Sequence, residues 1–196
     1  MRLLKYLKSN AGFLISFALL AFIALNKDAK AFLIRGLIST GILNSDFDPS
    51  TGKSDEVSVA PSLLLGAPSG STVDLKELRG KVILLNFWAT WCPPCIAEMP
   101  SINTLRERFS KDENIVFLLV DVDGNYDRSK KFMDKHQYDL PVYVPQSDIP
   151  GQLLTGAIPT TIIIDKTGKI VFRHEGAADY SSPEAFGLLE KLSKGN

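Results

Sequence analysis

Apolar residues follow three patterns along this chain. The first is continuous: residues 11–25 read AGFLISFALLAFIAL, with no charge, behind Arg2, Lys5 and Lys8. A basic flank followed by an apolar core predicts an export signal or a signal anchor. The uncharged core of 15 residues is short for a spanning helix, although Lys8 and Lys27 can snorkel and lengthen it. Ala29-Lys30-Ala31 offers a small-x-small cleavage site, so a removed signal peptide competes with a retained transmembrane anchor over 1–26. Retention is the reading carried forward, because the segment that follows stays apolar and membrane-compatible. Both readings put the body of the protein on the extracytoplasmic, periplasmic side of the inner membrane.

The second pattern is helical. Residues 31–43 (AFLIRGLISTGIL) place apolar side chains at 33, 34, 37, 38 and 42, the spacing of a helix with one oily face. Such a helix can lie on the outer membrane surface or pack on the folded domain; the spacing allows both. Residues 44–56 are rich in Asp, Ser, Gly, Thr and Pro and read as a flexible tether. The segment 27–56 is therefore expected to be an amphipathic stretch plus linker, and 57–196 the folded domain.

From residue 57 the third pattern begins, strands alternating with helices. Strands are expected over 57–65, 72–75, 82–88, 115–121, 142–144, 160–165 and 170–174. The first two form a hairpin across the turn 66–71, and the last two form one around Lys166-Thr167-Gly168-Lys169. Helices are expected over 95–109, 128–136 and 183–192, with single helical turns over 75–79 and 147–154. Alternation of this kind predicts an α/β fold with a central mixed sheet covered on both faces.

Composition narrows the class. At 45% hydrophobic and 22% charged residues the chain is a folded protein rather than a disordered one. Its 22 basic and 22 acidic residues balance, but residues 1–45 hold six of the basic and one of the acidic groups. The remainder thus carries 16 against 21, a net of −5. A body of that sign has no basic stripe for phosphates, and nucleic acid is excluded as a partner class.

The candidate chemistry lies in Trp91-Cys92-Pro93-Pro94-Cys95, which contains the only two cysteines of the chain. The pair stands between the apolar strand 82–88 and the helix that follows. Unpaired backbone N–H groups and the helix dipole at that junction favour a thiolate on Cys92, lowering its pKa from the free value of about 8.5. Cys95, one turn inside, is placed to resolve the mixed disulfide that Cys92 forms. Pro93 and Pro94 lack N–H groups that a first helical turn does not use, and they restrict the loop. Zinc would need about four ligands, and beyond this pair the chain offers only His136 and His174 as soft donors. Asp121-Val122-Asp123-Gly124-Asn125-Tyr126-Asp127 has the alternating oxygens of a calcium loop. Tyr126 and Phe132 stand where an EF-hand needs glycine and glutamate, so a polar strand-to-helix loop is the better reading.

The stretch from Asn86-Phe87-Trp88 through Cys92 and Cys95 to Glu98-Met99-Pro100 resembles the active-site segment of the TlpA/ResA-like thiol–disulfide oxidoreductases of the thioredoxin superfamily. Ile158-Pro159-Thr160 is similar to the family's cis-proline loop, and the resemblance spans about residues 57–194. It implies a thioredoxin-like fold with an N-terminal β-hairpin extension, an exposed nucleophile at Cys92, a buried resolving Cys95 and a redox-active disulfide between them. It places Pro159 opposite the sulfurs and lets Ile158 pair with an extended substrate. Trp91, Pro93, Pro94, Ile158 and Pro159 are then the substrate-binding rim, and Pro100 a structural proline. Thioredoxin has a buried aspartate where this chain has Asn86, which cannot exchange a proton. Glu98, three residues after Cys95 and on the same helix face, is expected to shuttle the proton for Cys95. No metal or organic cofactor is expected. The expected partners are protein thiols and disulfides, apocytochrome c cysteines among them, and a membrane thiol transporter as electron donor. A thioredoxin-fold peroxidase and a non-catalytic docking module of an envelope assembly are the alternatives.

Overall fold

A computed structural model describes residues 11–39, 58–67 and 69–195 of the chain. Arg2, Lys5, Lys8 and the tether expected over 44–56 lie outside the described residues. Two helices come first, α1 (Ala11–Leu25) and α2 (Lys27–Ser39). Asn26 separates them: its Oδ1 accepts hydrogen bonds from the N–H groups of Asp28 at 2.9 Å and Ala29 at 3.1 Å, which caps α2. The axes of the pair Gly12–Leu25 and Lys27–Ile38 are bent by 95°. Among the described residues no single helix is long and apolar enough to cross a membrane.

The amphipathic segment differs from the expectation. Its helix starts at Lys27 rather than 31 and is docked on the domain through Ala31 and Ile38, only 1% and 8% exposed. Asn26 is the reason, since an asparagine cap two residues before an acidic residue starts a helix irrespective of where the oily face begins.

The domain is built on one sheet of seven strands: β1 (Leu64–Gly66), β2 (Thr72–Asp74), β3 (Val82–Trp88), β4 (Ile115–Asp121), β5 (Val142–Pro145), β6 (Thr160–Ile164) and β7 (Ile170–Glu175). Their order is β2-β1-β5-β4-β3-β6-β7. β3, β4 and β5 run parallel, and β1, β2, β6 and β7 join antiparallel, so the sheet is mixed as the alternation predicts. The hairpin β1–β2 is shorter than expected. Val59 makes only an isolated bridge to Lys169, because Pro61 and Ser62 interrupt the run before Leu64.

All seven residues of β3 are buried, and successive ones face opposite layers. Val82, Leu84 and Trp88 pack beneath α3 (Pro93–Arg108), α4 (Tyr126–His136) and α5 (Pro183–Lys194), against Met99, Ile102, Phe132 and Leu189. Ile83, Leu85 and Phe87 face the other layer, closed by Leu63, Leu75 and Leu153. The first of these comes from the segment before β1, and the second from a short 3-10 turn over Leu75–Leu78. The third comes from a single helical turn, in which the N–H groups of Leu153 and Leu154 both reach the Pro150 carbonyl. This turn occupies only 150–154 of the expected 147–154, since Pro150 cannot donate to a turn before it and so begins this one. Asn86 shares the parity of Leu84 and Trp88. It is therefore the polar residue that β3 turns toward α3.

Candidate active site

Helix α3 begins at Pro93, earlier than the expected 95, because proline at N1 and N2 sacrifices no intrahelical bond. Cys92 is its N-cap, with extended backbone (φ −88°, ψ 105°), and its Sγ accepts the N–H of Cys95 at 3.3 Å. Cys92 and Cys95 are joined as a disulfide with Cα atoms 5.3 Å apart. Cys95 is fully buried and Cys92 only 3% exposed, so the exposed nucleophile implied by the resemblance is in fact recessed. The recess has a wall: Cys92 Sγ lies 3.9 Å from the carbonyl oxygen of Ile158. The Ile158-Pro159 bond is cis, Pro159 is buried and Ile158 half-buried. The Pro159 carbonyl accepts from Gly176 N–H at 2.8 Å, which ties this loop to the end of β7.

Trp88 and Trp91 diverge. Trp88 is buried against Phe132, ring centroids 5.4 Å apart. Trp91 is 54% exposed, and its indole N–H donates to Asp123 at 2.8 Å. With half-buried Pro93 and Pro94 it forms the accessible edge around the recessed sulfur.

Glu98 is 1% exposed and faces the sheet. Its Oε1 accepts from Asn86 Nδ2 at 2.8 Å and its Oε2 from the Ala178 N–H at 3.4 Å. Burial pushes the carboxyl up from 4.5 to about 8, and the two hydrogen bonds pull only partly back. Asn86 Nδ2 also donates to Thr161 Oγ1 at 2.8 Å. Tyr180, fully buried beside Thr161 and Glu98, has its phenol held well above the ordinary range, by burial first and then by the Glu98 charge. The result is one buried acid in a buried polar cluster, three residues along α3 from Cys95. It can hold or release a proton near neutral pH.

The sequence reading names Asn86 only as a departure from thioredoxin and misses Thr161 and Tyr180. The period-2 parity of β3 and β6 could have placed Asn86 and Thr161 on the α3 side, since the two are register partners. Nothing local marks Tyr180, which enters through the loop before α5. Lys27 is also missed: its ammonium donates to the Thr90 carbonyl at 2.7 Å, next to the active-site turn.

The acidic loop after β4 serves the fold. Asp121 accepts from the N–H groups of Asp123 and Asn125, both at 3.1 Å, and from Ser129 Oγ at 2.7 Å, fastening α4 to the sheet. Among the described residues no cluster of three His, Cys, Asp or Glu side chains could hold a metal ion.

The Redoxin family profile matches residues 53–189. The thiol-disulfide oxidoreductase ResA of Bacillus cereus (strain ZK / E33L) is 33% identical over 135 residues, 68% of this chain and 76% of that protein. A candidate thiol-disulfide oxidoreductase from Bacteroides vulgatus superposes with TM-score 0.59 at 30% identity, covering 69% of this chain and 95% of that one. A thiol:disulfide interchange protein from Bacteroides sp. does so with TM-score 0.57 at 26% identity, over 70% and 90%.

Proposed function

The chain belongs to the Redoxin family, as a TlpA/ResA-like thiol–disulfide oxidoreductase of the thioredoxin superfamily, and from that premise we propose a membrane-anchored extracytoplasmic reductase of protein disulfides. The observation that carries the chemistry is the Cys92–Cys95 disulfide at the cap of α3, recessed beside the Ile158 carbonyl and backed by the buried acid Glu98.

In the reduced protein the Cys92 thiolate attacks one sulfur of a substrate disulfide. A mixed disulfide forms and the substrate's other sulfur leaves as a thiolate. Cys95 then passes its proton to the Glu98 carboxylate and attacks Cys92 Sγ. That step releases the second substrate thiolate and closes the Cys92–Cys95 bond, so two electrons have moved to the substrate. A donor dithiol reverses the sequence, and Glu98 returns the proton to the Cys95 thiolate as it leaves. An acid with a pKa near the working pH serves both directions. Asn86 can serve both ionisation states as well, since rotating its amide exchanges donor for acceptor. Ile158 pairs with the extended substrate backbone, presented by the turn at Pro159, while Trp91, Pro93 and Pro94 contact its side chains.

The apolar run 11–25 behind its basic flank supports anchoring in the inner membrane with the domain on the periplasmic side. The family resemblance supports a membrane thiol transporter as electron donor and oxidised apocytochrome c cysteines as substrate, within cytochrome c biogenesis. A peroxidatic cysteine normally stands without a partner two residues on, and the pairing of Cys92 with Cys95 makes a peroxidase the weaker reading.

The deciding experiment traps partners in cells with Cys95→Ala, which leaves Cys92 covalently joined to whatever disulfide it attacks. Mass spectrometry of the adducts is expected to return exported proteins with paired cysteines. If no adduct forms, while Cys92→Ser and the wild-type protein reduce insulin equally poorly, the reductase reading fails.

A further inference from the structure

Helix α2 is apolar on two opposite faces. Ala31, Ile34 and Ile38, spaced i, i+3, i+7, pack on the domain. The opposite stripe is Ala29, Phe32, Leu33, Gly36 and Leu37, spaced i, i+3, i+4, i+7, i+8, with no charge in it. Phe32 is 75% and Leu33 45% exposed. A helix on the surface of a soluble domain keeps its outer face polar, so this stripe requires a cover. The charges lie to the sides and hold the helix down. Lys27 bonds the Thr90 carbonyl, and Asp28 pairs with Lys135 of α4 at 3.4 Å. Lys30 borders the stripe, where a long side chain can snorkel.

The neighbouring helix indicates the cover. The 15 residues of α1 carry no charge, and Phe13, Ile15, Phe17 and Leu20 are 65–72% exposed on different sides of it. A protein partner covers one side of a helix, whereas lipid covers all of it. The two axes meet at 95° across the single residue Asn26. A bilayer that takes α1 along its normal therefore meets α2 lengthwise.

We propose that α2 is an interfacial bracket: its outer stripe rests in the headgroup region of a phospholipid bilayer while its inner face clamps the domain. The inference builds on the anchoring reading and adds an orientation to it. Lys27, at the end of α2 nearest the bilayer-inserted helix, grips the carbonyl two residues before Cys92. The disulfide is thus held at the membrane surface in a fixed attitude. The thiols and disulfides that it meets are those presented at the bilayer, not those free in the surrounding volume.

The test uses the full chain reconstituted in phosphatidylcholine vesicles with and without a nitroxide on the choline headgroup. Phe32→Trp in a Trp91→Phe background reports the stripe, native Trp91 reports the active-site rim, and buried Trp88 gives a constant background. Emission from position 32 and from Trp91 is expected to fall at least about twofold with the nitroxide, since an interfacial helix sits within about 5–10 Å of the headgroup boundary. Phe32→Glu with Leu33→Glu is expected to abolish the quenching of Trp91 while the protein still floats with the vesicles. Flotation without quenching at either position overturns the bracket and leaves anchoring standing. Quenching at position 32 alone overturns the placement of the disulfide. Failure to float sinks the anchoring reading and the bracket together. A dimer in detergent that the double substitution dissociates shows that a second copy covers the stripe, and overturns the proposal.

Discussion

Glu98→Gln separates the active-site proton from the packing around it. The amide has nearly the size of the carboxyl; its one oxygen can accept the Ala178 N–H while its NH2 meets the Asn86 amide, which can rotate to accept, but it cannot gain or lose a proton. Burial lifts the Glu98 carboxyl from 4.5 to about 8. At about 1.4 kcal/mol per unit, a shift of that size couples to stability with a magnitude of about 5 kcal/mol. Because the folded pKa is raised, the native protein binds the proton more tightly than the unfolded chain does. The associated stability is complete below about pH 4.5 and is lost as the pH rises toward the folded value near 8. In the glutamine variant this loss is absent. Urea unfolding of the oxidised protein at pH 5, 6.5, 8 and 9 should show the variant gaining on wild type with each step, by about 4 kcal/mol in total. The variant should also slow thiol exchange on the order of 10²-fold or more, with a flattened pH profile between 6 and 9. Stability curves that stay parallel across this range, or an unchanged exchange rate, would refute the assignment of a buried, proton-exchanging acid.

Three further outcomes are expected. Asn86→Asp sets a second carboxyl against Glu98 where the amide now donates at 2.8 Å, so the two should share one proton; unfolding above pH 8 should be easier by about 1–3 kcal/mol, and by less near pH 5. Trp91→Ala removes an exposed ring and one hydrogen bond to Asp123, so it should raise KM for insulin severalfold while moving stability by less than about 1 kcal/mol, checked by steady-state kinetics and thermal melts. Asp121→Ala leaves two N–H groups and the Ser129 hydroxyl without their acceptor; it should cost about 2–4 kcal/mol in chemical denaturation, with no change in the wild-type melting temperature on adding calcium.

What the sequence discloses follows the range of the forces involved. Strands β3 and β4 are legible to the residue, because a mostly apolar run that starts after Lys81 or Asn114 and is interrupted only by Asn86 or closed by Asp121 has no competing reading. The Cys92 cap is legible too, since it needs only a strand, two prolines and a helix in sequence. The start of α2 at Lys27 is misread, although Asn26 carries a local capping signal, because the oily face dominates the pattern. The late start of the helical turn at Pro150 is legible in the proline itself. The cluster around Glu98 is another matter. Asn86 lies 12 positions from Glu98, Thr161 lies 75 from Asn86, and Ala178 lies 80 from Glu98. Such contacts exist only once the sheet order is set, and the last two span more of the chain than any local pattern. The recession of Cys92 has the same origin, since its wall at Ile158 is 66 positions away.

All of this depends on the cap of α3 stabilising negative charge on Cys92. The most direct measurement is the pH dependence of alkylation of Cys92 in reduced Cys95→Ser protein, followed by mass spectrometry. The midpoint is the quantity to read, because restricted access scales the rate equally at every pH. A midpoint well below the value of about 8.5 for a free thiol is the predicted result, and a midpoint at or above that value contradicts the account.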